Sequence, residues 1–128
     1  MSPEVKAIVE YRLRRARETA EEARILFASG KHSGALNRLY YSMFYAAQAL
    51  LASRQMTASK HSGVLSLFHR EFVKTGLLSA DVAKSLDIAF DLRNKWDYRD
   101  FVEPDAERVA ELLKDSEAFL SAIADLLK

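Results

Sequence analysis

Apolar residues recur along this chain at helical spacing, and the pattern breaks only at short polar intervals. From Pro3 to about Ser29, Val5, Val9, Ala16, Ala20, Ala23 and Phe27 fall on one face, with Ile8, Leu13 and Leu26 at its margins. Ser2 is placed to cap this helix, Pro3 suits a first turn, and Gly30 suits the residue just past the end. Arg12 interrupts the face, either snorkelling from a seam between helices or reaching a ligand. A second helix is predicted from near Ser33 to near Arg54, with Leu36, Leu39, Tyr40, Met43, Phe44, Ala47, Leu50 and Leu51 as its main stripe. Its other side repeats Asn37, Tyr41, Tyr45 and Gln48, so the helix should touch neighbours on both sides. That aromatic row reads as core or subunit interface, or else as a platform for stacked bases.

Three more helices follow. The third covers roughly 61–75, buries Val64, Leu65, Phe68 and Phe72, and stops at Gly76. The fourth opens with Ser79 as cap and Asp81 in its first turn. It continues through Val82, Leu86, Ala89 and Phe90 into "FDLRNKWDYRD" at 90–100. The fifth begins at Pro104 and presents Val109, Leu112, Leu113, Leu120, Ile123 and Leu127. Short connections lay sequential helices antiparallel. The expected fold is all-α, an up-and-down antiparallel bundle of about five helices, in one domain over residues 1–128.

Composition agrees. No proline occurs between Pro3 and Pro104, which disfavours a strand-and-turn architecture. With 49% hydrophobic and 29% charged residues, the balance is that of a soluble globular chain. The most apolar stretch, "YYSMFYAAQALLA" at 40–52, is shorter than the roughly 20 residues a bilayer span needs. The first residues lack the apolar run of a secretory signal, so a cytoplasmic protein without membrane contact is expected. Cysteine is absent, which excludes thiolate chemistry and disulfides, and the scattered His32, His61 and His69 form no metal-ligand motif. Neither a metal nor a cofactor is expected. Residues 1–64 carry 10 basic and 5 acidic side chains, and residues 65–128 carry 9 and 13, so the halves differ in sign. Complementary helix faces, self-association or a nucleic-acid footprint would each produce that asymmetry.

The chemistry concentrates where the fourth helix ends. Arg93 lies one turn beyond Phe90 and two beyond Leu86, so it projects on the apolar face. A guanidinium cannot shed its charge there and needs a partner. Asp97, one turn on, is an intramolecular candidate; the other is an anion from outside, such as a phosphate or a group of a second subunit. Asn94 adds donors and an acceptor, and Tyr98 adds a hydroxyl near the helix end. Arg38 is either a surface ion-pair residue or a second cation lining the same groove.

Three blocks, "ALNRLYYSMFYAAQALL" at 35–51, "SKHSGVLSLFHREFVKTG" at 59–76 and "LRNKWDY" at 92–98, together resemble HEPN-domain proteins. The nearer resemblance is to the small stand-alone branch often encoded beside a minimal nucleotidyltransferase, and it spans about residues 5–125. It implies a helical bundle that dimerises about helix 4. It further implies a toxin–antitoxin-like pairing with the nucleotidyltransferase, and a nucleotide or RNA as ligand. In that family an arginine and a polar residue precede a histidine, and two protomers combine these motifs into a metal-independent ribonuclease site. Arg93 and Asn94 match the first half of that motif, whereas Tyr98, Arg99 and Asp100 occupy the histidine positions. Tyrosine titrates near 10 against about 6.5 for histidine, so Tyr98 is a poor base at neutral pH. The expectation is therefore a homodimer that binds nucleotide or RNA through Arg93, Asn94, Tyr98 and Arg38 without efficient cleavage. The alternative is a divergent endoribonuclease with its base supplied by Tyr98 or by a histidine from elsewhere. Tyr98 is also a conceivable acceptor of a nucleotidyl group from the partner. Lys60 and His61 match a family block without a chemical role that the residues themselves reveal.

Overall fold

The first helix, α1, runs Pro3–Ala28, and its start follows from the cap: the Val5 amide donates to Ser2 Oγ at 3.2 Å. It stops where Gly30 turns left-handed at φ 76°, letting the Lys31 amide reach the Leu26 carbonyl at 2.8 Å. These contacts come from a computed structural model that describes residues 1–97 and 103–128, the side chains of Trp96 and Asp97 excepted. Among the described residues there are four further helices: α2 (His32–Ser53), α3 (His61–Phe68), α4 (Ala80–Asp97) and α5 (Ala106–Leu126). The architecture is the expected all-α bundle.

Two details of the helix ends differ from the sequence reading. The helix beginning at His61 gives way after Phe68 to a π-helical turn, His69–Val73, in which the Lys74 amide bonds to the His69 carbonyl at 2.8 Å. Apolar spacing alone does not distinguish that widened turn from α-helix. Helix α5 starts after Pro104 rather than at it. Pro104 is buried, and Asp105 Oδ1 accepts from the Glu107 amide at 3.2 Å, so the acidic residue is the cap.

Helix α2 is the central element, packed by α1, α3, α4 and α5. Its buried residues include Leu36, Leu39, Tyr40, Met43, Leu50 and Leu51. Against it α1 presents small side chains, Ala16, Ala20 and Ala23 with Thr19, all buried, which permits close approach of the two backbones. The pair is antiparallel: Glu22 of α1 meets Arg38, and Arg12 meets the Gln48 carbonyl. On the far side Arg24 of α1 pairs with Glu117 of α5 at 3.6 Å. Tyr40 meets Phe90 of α4 at 5.7 Å, and Phe68 of α3 meets Phe119 of α5 at the same separation. No helix among the described residues is long and apolar enough to cross a membrane.

The α1–α2 seam makes a measurable demand. Replacing Ala16, which has no exposed surface, with leucine should overfill the seam and lower stability by about 1–3 kcal/mol. Urea denaturation would read this as a lower midpoint with unchanged slope, and an unchanged midpoint would contradict the close packing.

Candidate functional site

Arg93 projects from the last turns of α4 on the side that carries Leu86 and Phe90, as its spacing requires. Opposite stand two consecutive tyrosines of α2. The guanidinium carbon lies 5.3 Å from the centre of the Tyr40 ring and 5.0 Å from that of Tyr41. Ring faces are the negative side of an aromatic quadrupole, and each such contact is worth about 0.5–2 kcal/mol depending on desolvation. The charge is thus accommodated on an otherwise oily face. Nε is withdrawn from solvent, yet the residue as a whole is only partly buried.

Tyr41 is shared with a second cation. The Arg38 guanidinium lies 5.6 Å from the same ring, and it also pairs with Glu22 at 3.2 Å. Arg38 thus forms a surface ion pair and also shares the Tyr41 ring with Arg93. Tyr45 continues the row 5.8 Å from Tyr41, with Arg15 5.4 Å above it. Whereas Tyr40 is fully buried, Tyr41 and Tyr45 are partly open, so the polar-aromatic side of α2 forms a surface seam of arginines and phenols. Arg12, at the far end of this seam, donates from Nη1 to the Gln48 carbonyl at 3.2 Å, which accounts for its place in the α1 stripe.

The structure adds a residue to which sequence reasoning gave no role. His61 opens α3, and its ring centre lies 4.3 Å from Phe44 and 5.7 Å from Tyr41. Its Nδ1 is 3.0 Å from the Tyr40 hydroxyl. Burial, and then the positive charge of Arg93, hold the imidazole below the usual histidine range. Burial likewise pushes the Tyr40 phenol up, against the opposing pull of Arg93. At neutral pH the phenol keeps its proton and the imidazole is uncharged. The block "SKHSGVLSLFHREFVKTG" had marked His61, but its nearness to Arg93 depends on how α3 crosses α2, which local spacing does not encode.

Among the proposed site residues, Arg93 and Arg38 meet on Tyr41, and Asn94 follows Arg93 as a partly buried residue of α4. Tyr98 lies outside the described residues, as does the side chain of Asp97, the intramolecular partner considered for Arg93. The other histidines are elsewhere: His32 packs on Phe27 at 5.3 Å, and His69 Nε2 lies 2.7 Å from Asp87 Oδ2. Among the described residues no group of three or more histidines and carboxylates is placed to hold a metal ion.

Comparison with known proteins gives this arrangement its class. The HEPN domain matches residues 9–126, so the chain belongs to the HEPN family. It is 41% identical over 125 residues to a "UPF0332 protein" of Thermotoga maritima, covering 98% of this chain and 95% of that protein. Two proteins of Methanocaldococcus jannaschii are also similar. "Putative toxin MJ0142" is 34% identical over 91% of this chain and 79% of its own length. "Putative toxin MJ0605" is 30% identical over 98% of this chain and 90% of its own length.

The contact between Tyr40, His61 and Arg93 has a thermodynamic signature. The folded-state pKa of His61 is below its unfolded value, so between the two the unfolded chain binds more protons. Stability should be unaffected well above the unfolded pKa of about 6.5 and should fall as the pH drops through it. His61→Asn should flatten that slope in urea titrations between about pH 7.5 and about pH 5.5. Parallel slopes for the two proteins would contradict the placement of His61.

Proposed function

We propose that this protein is the HEPN member of a toxin–antitoxin-like pair, and that its Arg93 groove binds the phosphates of RNA or of a nucleotide. One observation carries the reading: a guanidinium seated on two tyrosine faces beside a partly open surface, where its fork suits a phosphate. The rings fix the fork in advance, which reduces the ordering that binding would otherwise require. Arg38 adds positive charge on the same ring, and the partly open Tyr41 and Tyr45 offer faces for unstacked bases. The names of the two Methanocaldococcus relatives support a toxin-type role. The resemblance to the branch encoded beside minimal nucleotidyltransferases supports such an enzyme as partner, and a homodimer that unites two Arg93 grooves about α4. Tyr98 stands where the family histidine would be, which argues for binding rather than for cutting through that motif. A second reading, a ribonuclease, is favoured by one specific feature, the histidine of α3 next to Arg93.

Fluorescence anisotropy with a labelled single-stranded RNA tests the binding reading. Removing a charged hydrogen-bonding group of this kind should weaken binding about 10-fold to 100-fold, the effect expected for Arg93→Ala, with a shallower salt dependence. Arg38→Ala should weaken it less, since that side chain is also engaged by Glu22. Equal affinity in the Arg93 variant, or no binding by the unaltered protein, would overturn the proposal.

A further inference from the structure

A second groove lies between α4 and the π-helical turn, and the Arg93 site makes no use of it. It measures about 590 Å³ and is lined by Leu65, Leu67, His69, Arg70, Lys74 and Asp87. That volume is in the range of small-molecule sites. Asp87 lies six residues before Arg93 in α4, so the two side chains leave the helix on different sides. We propose that this groove binds a small phosphomonoester, with Arg70 and Lys74 meeting the phosphate dianion and Leu65 and Leu67 covering the body of the ligand.

The backbone of the turn assembles the cations. The Lys74 amide bonds to the His69 carbonyl at 2.8 Å, five residues back. In a continued α-helix that amide would reach the Arg70 carbonyl, and Lys74 would stand well round the axis from His69. The widened turn brings His69, Arg70 and Lys74 onto one groove instead. Such turns occur frequently at functional sites. This one is anchored, because its Phe72 is buried beneath the Arg54 guanidinium at 4.4 Å.

The charges favour a dianion. Arg70 and Lys74 are both exposed, and among the described residues no ion pair engages Lys74. Glu71 holds Arg70 at 3.2 Å, but that pair is largely exposed and releasing it costs little. The carboxylate of the groove, Asp87, is engaged by His69 Nε2 at 2.7 Å, so it is directed at the imidazole rather than at a ligand. The Arg70 fork suits two phosphate oxygens, and the Lys74 ammonium supplies a point charge for a third. Two cations match the charge of a monoester better than the single charge of a diester.

The test titrates the whole protein with phenyl phosphate, inorganic phosphate or dimethyl phosphate and follows the backbone amides from His69 to Lys74 by NMR. At about pH 8 a phosphomonoester is a dianion. Phenyl phosphate should shift these amides saturably. Inorganic phosphate should act more weakly, having no body to cover Leu65 and Leu67, and the diester dimethyl phosphate least. Lys74→Ala and Arg70→Ala should each weaken phenyl phosphate binding at this site about 10-fold, whereas Lys74→Arg should keep most of it. Both side chains are exposed, so their removal should leave the fold intact. Asp87→Asn takes a negative charge out of the groove and should tighten binding about two-fold to five-fold. An equal response to dimethyl phosphate overturns the monoester assignment, and weaker binding by Asp87→Asn overturns the charge account of the groove. Undiminished affinity in Lys74→Ala, or shifts confined to the neighbours of Arg93, overturns the site and leaves the Arg93 reading standing.

Discussion

A guanidinium cannot lose its proton, so a helix that turns Arg93 toward its apolar neighbours obliges the facing helix to present something electronegative. Here α2 answers with the faces of Tyr40 and Tyr41. The consequences spread from that contact. Tyr40 must be buried to sit beneath Arg93, a buried hydroxyl must find a partner, and the partner is His61 at the start of α3. The Arg93 contacts and the Tyr40–His61 pair thereby link three helices, and burial, with Arg93 adding to it, holds the imidazole below the usual histidine range. The chain that carries this cluster belongs to the HEPN family, and two of its relatives bear the name "Putative toxin".

Much of the fold was legible because it follows from local rules. Ser2 and Ser79 mark helix starts through their own side chains, and Gly30 marks an end through its left-handed backbone. The two-sided character of α2 was visible in the period of Asn37, Tyr41, Tyr45 and Gln48. The π turn at His69–Val73 was not, because it keeps the apolar face while widening the hydrogen-bond ring. The buried state of Pro104 was not either, since it depends on how the chain enters α5.

The site divides the same way. Arg93 was readable as an anomaly of periodicity, a charge where Leu86 and Phe90 lead one to expect an apolar residue. What stabilises it was not, because Tyr40 had been counted as ordinary core and its ring face is offered only once α4 crosses α2. His61 was passed over for a similar reason: a histidine at a helix start has no local mark of function, and its neighbours Phe44 and Tyr40 are remote in sequence. Electrostatic identity in this protein is assigned by tertiary neighbours.

The most direct measurement follows the Arg93 guanidinium itself. With arginine side-chain Nε–Hε resonances assigned by substitution, single-stranded RNA is added and each arginine is observed by NMR. Arg93 should shift with a saturable dependence on RNA concentration, and Arg38 should follow more weakly. An Arg93 signal that stays fixed while arginines of the distal helix surfaces move would contradict the account.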